Sequence, residues 1–168
     1  MPMSDYMKKI RSLVGKELLV LPSVTIIHFD AQDRMLLMQH RGTGQWVAPG
    51  GAIEPNEFPA DAAVREMWEE TGLHVELTGI LGVFGGPECL VTYPNGDQTS
   101  YVMTVYGCQQ IGGHLHPNDG EALDLRYFAA DEISDLQLAP WAITVLPQLF
   151  ATRETTILQA PTWTPDTA

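Results

Sequence analysis

Positive charge is scarce in this chain. Nine lysines and arginines stand against 21 aspartates and glutamates over 168 residues, a formal net charge of −12. No basic stripe is left to displace counterions from a phosphate backbone, which argues against a nucleic-acid polymer as partner. Cysteine is nearly absent too: Cys89 and Cys108 have no metal-ligand spacing, and they read as reduced, partly buried thiols. No apolar run reaches the ~18 residues a membrane helix needs. The first 20 residues carry Lys8, Lys9 and Arg11 and lack both the apolar core and the cleavage site of a secretory leader, so a cytoplasmic protein is expected. Apolar residues make up 45% of the chain, enough for one domain with a substantial core and too little chain for two.

The pattern along the chain is mixed. Residues 1–16 hold an amphipathic helix over Ser4–Val14, part of the domain or appended to it; 17–150 form the domain proper; 151–168 read as a tail, loose from Gln159. Glu17–Phe29, broken by Pro22, predicts an edge strand running into a core strand, and Asp30–Asp33 a turn into the antiparallel partner Met35–Gln39. Val47–Ile53 is a short strand interrupted by Pro49-Gly50-Gly51. Pro59–Thr71 reads as a helix, with proline at its first position and Gly72 as its C-cap. His74–Phe84 predicts a strand, and Asn95-Gly96 a hairpin between Cys89–Tyr93 and Ser100–Tyr106. A loop over Ile111–Gly120 leads to a late strand, Asp124–Phe128, and a helix over Pro140–Phe150 that Pro147 should kink or shorten. Strands with helices on their faces indicate α+β.

The informative segment is Gly51–Leu73. On a helix, Glu66, Glu69 and Glu70 at i, i+3 and i+4 share one face. Like charges so placed repel and, if buried, lose water. An acidic solvated face is one reading; the other is a hard divalent cation, since Mg²⁺ and Mn²⁺ take carboxylate oxygens and bridge them to phosphates. Ala62, Ala63 and Met67 suit packing on a sheet, with the glutamates looking outward into a cleft.

Gly51, Glu57, Arg65, Glu66, Met67, Glu69, Glu70, Gly72 and Leu73 match every fixed position of the Nudix signature: Gly, five residues, Glu, seven residues, Arg-Glu, apolar, any, Glu-Glu, any, Gly, apolar. Together with Trp46–Gly51 and Arg126-Tyr127-Phe128, they make the chain resemble the Nudix (MutT-like) hydrolases over about Val20–Phe150. The resemblance implies an α/β/α sandwich with a mixed β-sheet. It implies cleavage of the pyrophosphate bond in a nucleoside diphosphate derivative, by water attack assisted by Mg²⁺ (or Mn²⁺). It carries Glu69 and Glu70 over as metal ligands, Glu66 as ligand or outer-shell partner, and the Gly50 carbonyl as a further donor. Arg65 and Glu57 become an ion pair tying loop to helix, with Arg65 orienting the glutamates; Gly51, Glu57 and Gly72 are structural members of the box.

The general base stays open between Glu121, with Asp119 and Asp124 behind it, and Glu66. Arg41 reads as a phosphate contact or a surface cation, and Trp46 as a wall of the nucleotide pocket or a core residue beside the glycine turn. His28, His40, His114 and His116 lack the spacing of a metal cluster. Pro87, fourteen residues after Leu73, hints at ADP-ribose; nucleoside triphosphates and, through Tyr93, dinucleoside polyphosphates are alternatives, as is a nucleotide-sensing module with little turnover. The partner expected is a small molecule, neither nucleic acid nor membrane, and the resemblance leaves a homodimer open.

Overall fold

A computed structural model describes residues 3–118, 120–153 and 155–165. The elements follow in the order α1 (Asp5–Val14), β1 (Leu19–His28), β2 (Met35–His40), β3 (Trp46–Val47), β4 (Gly50–Ala52), α2 (Pro59–Thr71), β5 (Leu73–Phe84), β6 (Leu90–Thr92), β7 (Gln98–Gly113), β8 (Ala122–Phe128) and α3 (Pro140–Ala151). One sheet has the order β4-β1-β7-β5, with β6 also on β7, and is mixed: β1 and β7 run parallel and the other pairs antiparallel. A second, antiparallel sheet has the order β3-β2-β8. The architecture is α+β.

β1 is the edge strand running into a core strand that Pro22 predicts. Leu19–Pro22 pair with β7 alone, whereas Ser23–Thr25 also gain β4 on the other side. From Ser23 onward β1 is buried on both faces. Val24 and Ile26 join a cluster with Leu36, Ala62, Ala63 and Met67 under α2. Ile27 turns the other way, into a larger cluster with Phe84, Met103 and the α3 residues Leu146 and Leu149. Helices thus cover opposite faces of the sheets. Each large apolar side chain so enclosed contributes roughly 1.5–3 kcal/mol.

Three expectations need correction. β2 does not form a hairpin sheet with β1: after the Asp30–Asp33 turn the two share only the bridge Phe29↔Met35, and β2 leaves to pair with β3 and β8. Met35–Met38 are buried on both faces, so this strand needs cover on each side, and splitting the sheet supplies it. Ile111–Gly113 are not loop but the end of β7, held by the start of β5. Pro147 does not shorten α3, which continues to Ala151 because Val145, Leu146 and Leu149 are buried around it. Pro59–Thr71 and the Asn95-Gly96 hairpin stand where the sequence puts them.

Candidate metal and catalytic site

α2 starts with Pro59 at its first position and without a side-chain cap on Phe58, and it ends on Gly72 at φ 71°, whose N–H donates to the Trp68 carbonyl at 2.9 Å. A Cβ on Gly72 would press into the His116 ring and the His114 carbonyl, so this left-handed stop needs glycine. Ala62, Ala63 and Met67 lie flat on β1 and β2. The glutamate face does not look outward as the sequence suggests. Glu66 is 6% exposed and Glu70 3%, because i+4 steps from Ala62 to Glu66 to Glu70 follow the edge of the packed stripe. Only Glu69, its side chain 31% exposed, faces solvent appreciably.

Both buried carboxylates meet the Gly-Gly turn. The Gly50 N–H donates to Glu70 Oε2 at 2.8 Å. The Glu66 carboxylate lies against the Cα of Gly51, where any Cβ would overlap it, and a Cβ on Gly50 would overlap the Val24 carbonyl. The two glycines therefore let backbone and carboxylates come together without an intervening side chain.

Arg65 joins the parts. Its Nε and Nη2 grip Glu57 through both oxygens at 2.7 and 2.9 Å, Nη2 also donates to the Ala52 carbonyl at 3.3 Å, and Nη1 donates to Glu66 Oε1 at 2.7 Å and Glu69 Oε2 at 3.0 Å. Glu57 in turn accepts from the Glu54 N–H at 2.9 Å. The hydrogen bonds to Glu57 and then to Glu66 hold the guanidinium above its ordinary range, against the opposing effect of burial. The same contact with Arg65 draws the Glu57 carboxyl below its ordinary value. Burial pushes Glu66 up; Arg65 opposes this, while Glu69 and Glu57 add to it. Three carboxylates share one guanidinium, and one of them, Glu66, is out of water.

The carboxylates of Glu66, Glu69 and Glu70 are the hard oxygens that Mg²⁺ and Mn²⁺ prefer. Among the described residues no group of three or more His, Cys, Asp or Glu side chains is placed to hold a metal ion. The set fits an ion that completes its shell with water and substrate oxygens.

The remaining candidates are spread around the fold. Glu121 stands just before β8, and its carbonyl accepts the Arg41 N–H at 2.8 Å while Arg41 Nε donates to Gly120 at 2.6 Å, so Arg41 and Glu121 sit on one tied loop pair. Asp124 is bonded to Arg126 at 2.9 Å; Asp119 lies outside the described residues. Trp46 is a core residue, 9% exposed and edge-on to Phe128 with ring centroids 4.8 Å apart. His28 accepts from or donates to the Tyr127 hydroxyl at 3.0 Å, and His116 Nδ1 lies 2.7 Å from the His114 carbonyl. Cys89 and Cys108 are both free.

Two features escaped sequence reading. The Tyr93 and Tyr101 hydroxyls are 2.6 Å apart, and burial, then Tyr93, raise the Tyr101 phenol, with Arg11 opposing. Arg11 of α1 reaches the β6–β7 hairpin, donating to Gln98 and Thr99 and lying 3.6 Å from Asp97. Neither contact has a local signature, since each joins residues brought close only by sheet register.

Similarity to known proteins follows the same outline. The model of the NUDIX domain matches residues 20–149. An uncharacterized Nudix hydrolase, YvcI, of Bacillus subtilis (strain 168) is 30% identical over 122 residues, covering 71% of this chain and 73% of that protein. The structure of a MutT protein from Methanosarcina mazei superposes with TM-score 0.66 at 19% identity, covering 80% of this chain and 95% of that one. That of an ADP-ribose pyrophosphatase from Streptococcus suis gives 0.62 at 23% identity, covering 83% and 96%. With the matched span holding the whole arginine-clamped acidic helix and its glycine turn, the chain belongs to the Nudix hydrolase family.

Proposed function

We propose that the protein is a divalent-metal-dependent pyrophosphohydrolase of a nucleoside diphosphate derivative, with an ADP-ribose-like substrate favoured. The observation that carries this is the meeting of Glu66 and Glu70 with the Gly50-Gly51 backbone, buried and held in register by Arg65. A cation offsets the cost of keeping those carboxylates charged out of water. Glu66, Glu69, Glu70 and the Gly50 carbonyl would hold it, Mg²⁺ or Mn²⁺. Bound there, it would neutralise charge on the pyrophosphate oxygens and acidify a water.

The chain's own groups do the rest. Arg65 takes one oxygen of Glu66 and one of Glu69, fixing both rotamers, and acts on the reaction by positioning rather than by touching substrate. Glu121 is the general base, receiving the proton of the attacking water on its carboxylate, and Arg41 beside it meets substrate phosphate. The position of Pro87, fourteen residues after Leu73, and the likeness to an ADP-ribose pyrophosphatase from Streptococcus suis support the ADP-ribose-like preference.

The test is release of phosphate-containing products from ADP-ribose, nucleoside triphosphates, dinucleoside polyphosphates, NADH and nucleotide sugars, with Mg²⁺ or Mn²⁺ and with chelator. Metal-dependent cleavage of ADP-ribose, lost by orders of magnitude in Glu69→Gln and strongly reduced in Glu121→Gln without loss of metal affinity, is the expected result. Silence across the panel would contradict the assignment.

A further inference from the structure

α1 is amphipathic, yet none of its residues is buried. It is held instead by polar anchors near its C-terminal end, chiefly Arg11 on the carbonyls of Glu17 and Gln98. The apolar face at its other end overhangs a cavity of about 200 Å³, with Tyr6 and Met7 on one side and, on the other, Leu21 and Pro22 of β1 and the segment 52–55 that leaves the Gly-Gly turn.

We propose that this cavity is a binding site for the uncharged ring of the substrate, a nucleobase in the nucleoside diphosphate derivatives considered above; the proposal rests on that functional reading. Three observations select this occupant. The size admits one ring system, since a ~150 Å³ apolar cavity takes up benzene. Glu54 is the one charged residue of the lining, and its carboxylate repels phosphate and offers an acceptor to an N–H of a ring, while no cation is present to attract an anion. An aromatic ring, a thioether and a proline supply the flat, polarisable contacts that a ring prefers. The cavity also shares a wall with the metal and catalytic site: Ala52 lines it, Ala52 follows Gly51, and the Ala52 carbonyl accepts from the guanidinium that holds Glu66 and Glu69. The shared Ala52 wall puts the arginine-clamped acidic face next to a ring held under α1. In this reading α1 closes a specificity pocket, and Tyr6 and Met7 are specificity-determining residues.

The experiment is a titration of wild-type protein, carrying ¹³C-methyl methionine, with adenosine, which has the ring and no phosphate. The Met7 methyl signal should shift and saturate, and Tyr6→Ala, shown folded by its melt, should weaken adenosine binding about tenfold. An unmoved Met7 signal overturns the proposal whether or not the protein turns over ADP-ribose, as does a folded Tyr6→Ala that binds adenosine like wild type. Because adenosine carries no scissile bond, a saturating Met7 shift in a protein silent on the whole diphosphate panel would keep the pocket and remove the hydrolase reading.

Discussion

Arg65 spends all five of its hydrogen bonds on Glu57, Glu66, Glu69 and the Ala52 carbonyl. Arg65→Ala therefore leaves three neighbouring carboxylates without their counter-charge. It should destabilise the fold by about 2–3 kcal/mol in urea unfolding, below the loss seen for a fully buried pair because the arginine is a quarter exposed. Arg65→Lys should recover only part, lacking the planar fork that grips Glu57 through two oxygens. A loss under about 0.5 kcal/mol would show that the carboxylates find water instead. His28 makes a different residue-scale prediction. Burial holds its imidazole below the ordinary value of 6.5, with Asp30 opposing weakly. The unfolded chain then binds a proton first as pH falls, so this part of the stability is complete above about 6.5 and is lost as pH drops toward the folded value. Urea midpoints at pH 7.5 and 5.5 should separate more for wild type than for His28→Gln; parallel shifts would mean that His28 takes up its proton equally in both states.

At the scale of elements, α2 was legible to the residue because its ends are written in local chemistry: Pro59 removes a donor that a first turn leaves unpaired, and Gly72 adopts a left-handed stop. Gly72→Ala should lower Tm by about 4–8 °C, the equivalent of about 2 kcal/mol in a chain of this length; a change within 2 °C would mean that His116 moves aside at no cost. The Asn95-Gly96 hairpin was readable for the same local reason. The separation of β2 from β1 was not, because a turn signal fixes only the first pair across it, and the later pairing of β2 with β8 spans some ninety residues. The burial of Glu66 and Glu70 was not legible: their spacing puts them on one face, expected outward, while their closeness to the Gly50-Gly51 backbone depends on β4 pairing with β1. The Arg11 anchor of α1 and the Tyr93–Tyr101 contact depend on β7 register and have no counterpart in local pattern.

For the molecule as a whole, a net charge of −12 is at odds with binding an anionic diphosphate unless positive charge is brought in from outside. Among the described residues no helix is long and apolar enough to cross a membrane. The proposed function makes one demand of the whole molecule, a cation at the face of α2 that meets the glycine turn. Mn²⁺ titration followed by calorimetry, on wild type and on Glu69→Gln, tests this most directly. Glu69 suits the test because it is the most exposed of the three glutamates, so the substitution leaves the core untouched. Wild type should bind Mn²⁺ and Glu69→Gln should bind it at least about tenfold more weakly with an unchanged melt, whereas equal affinity in the two proteins would contradict the placement of the metal on this helix.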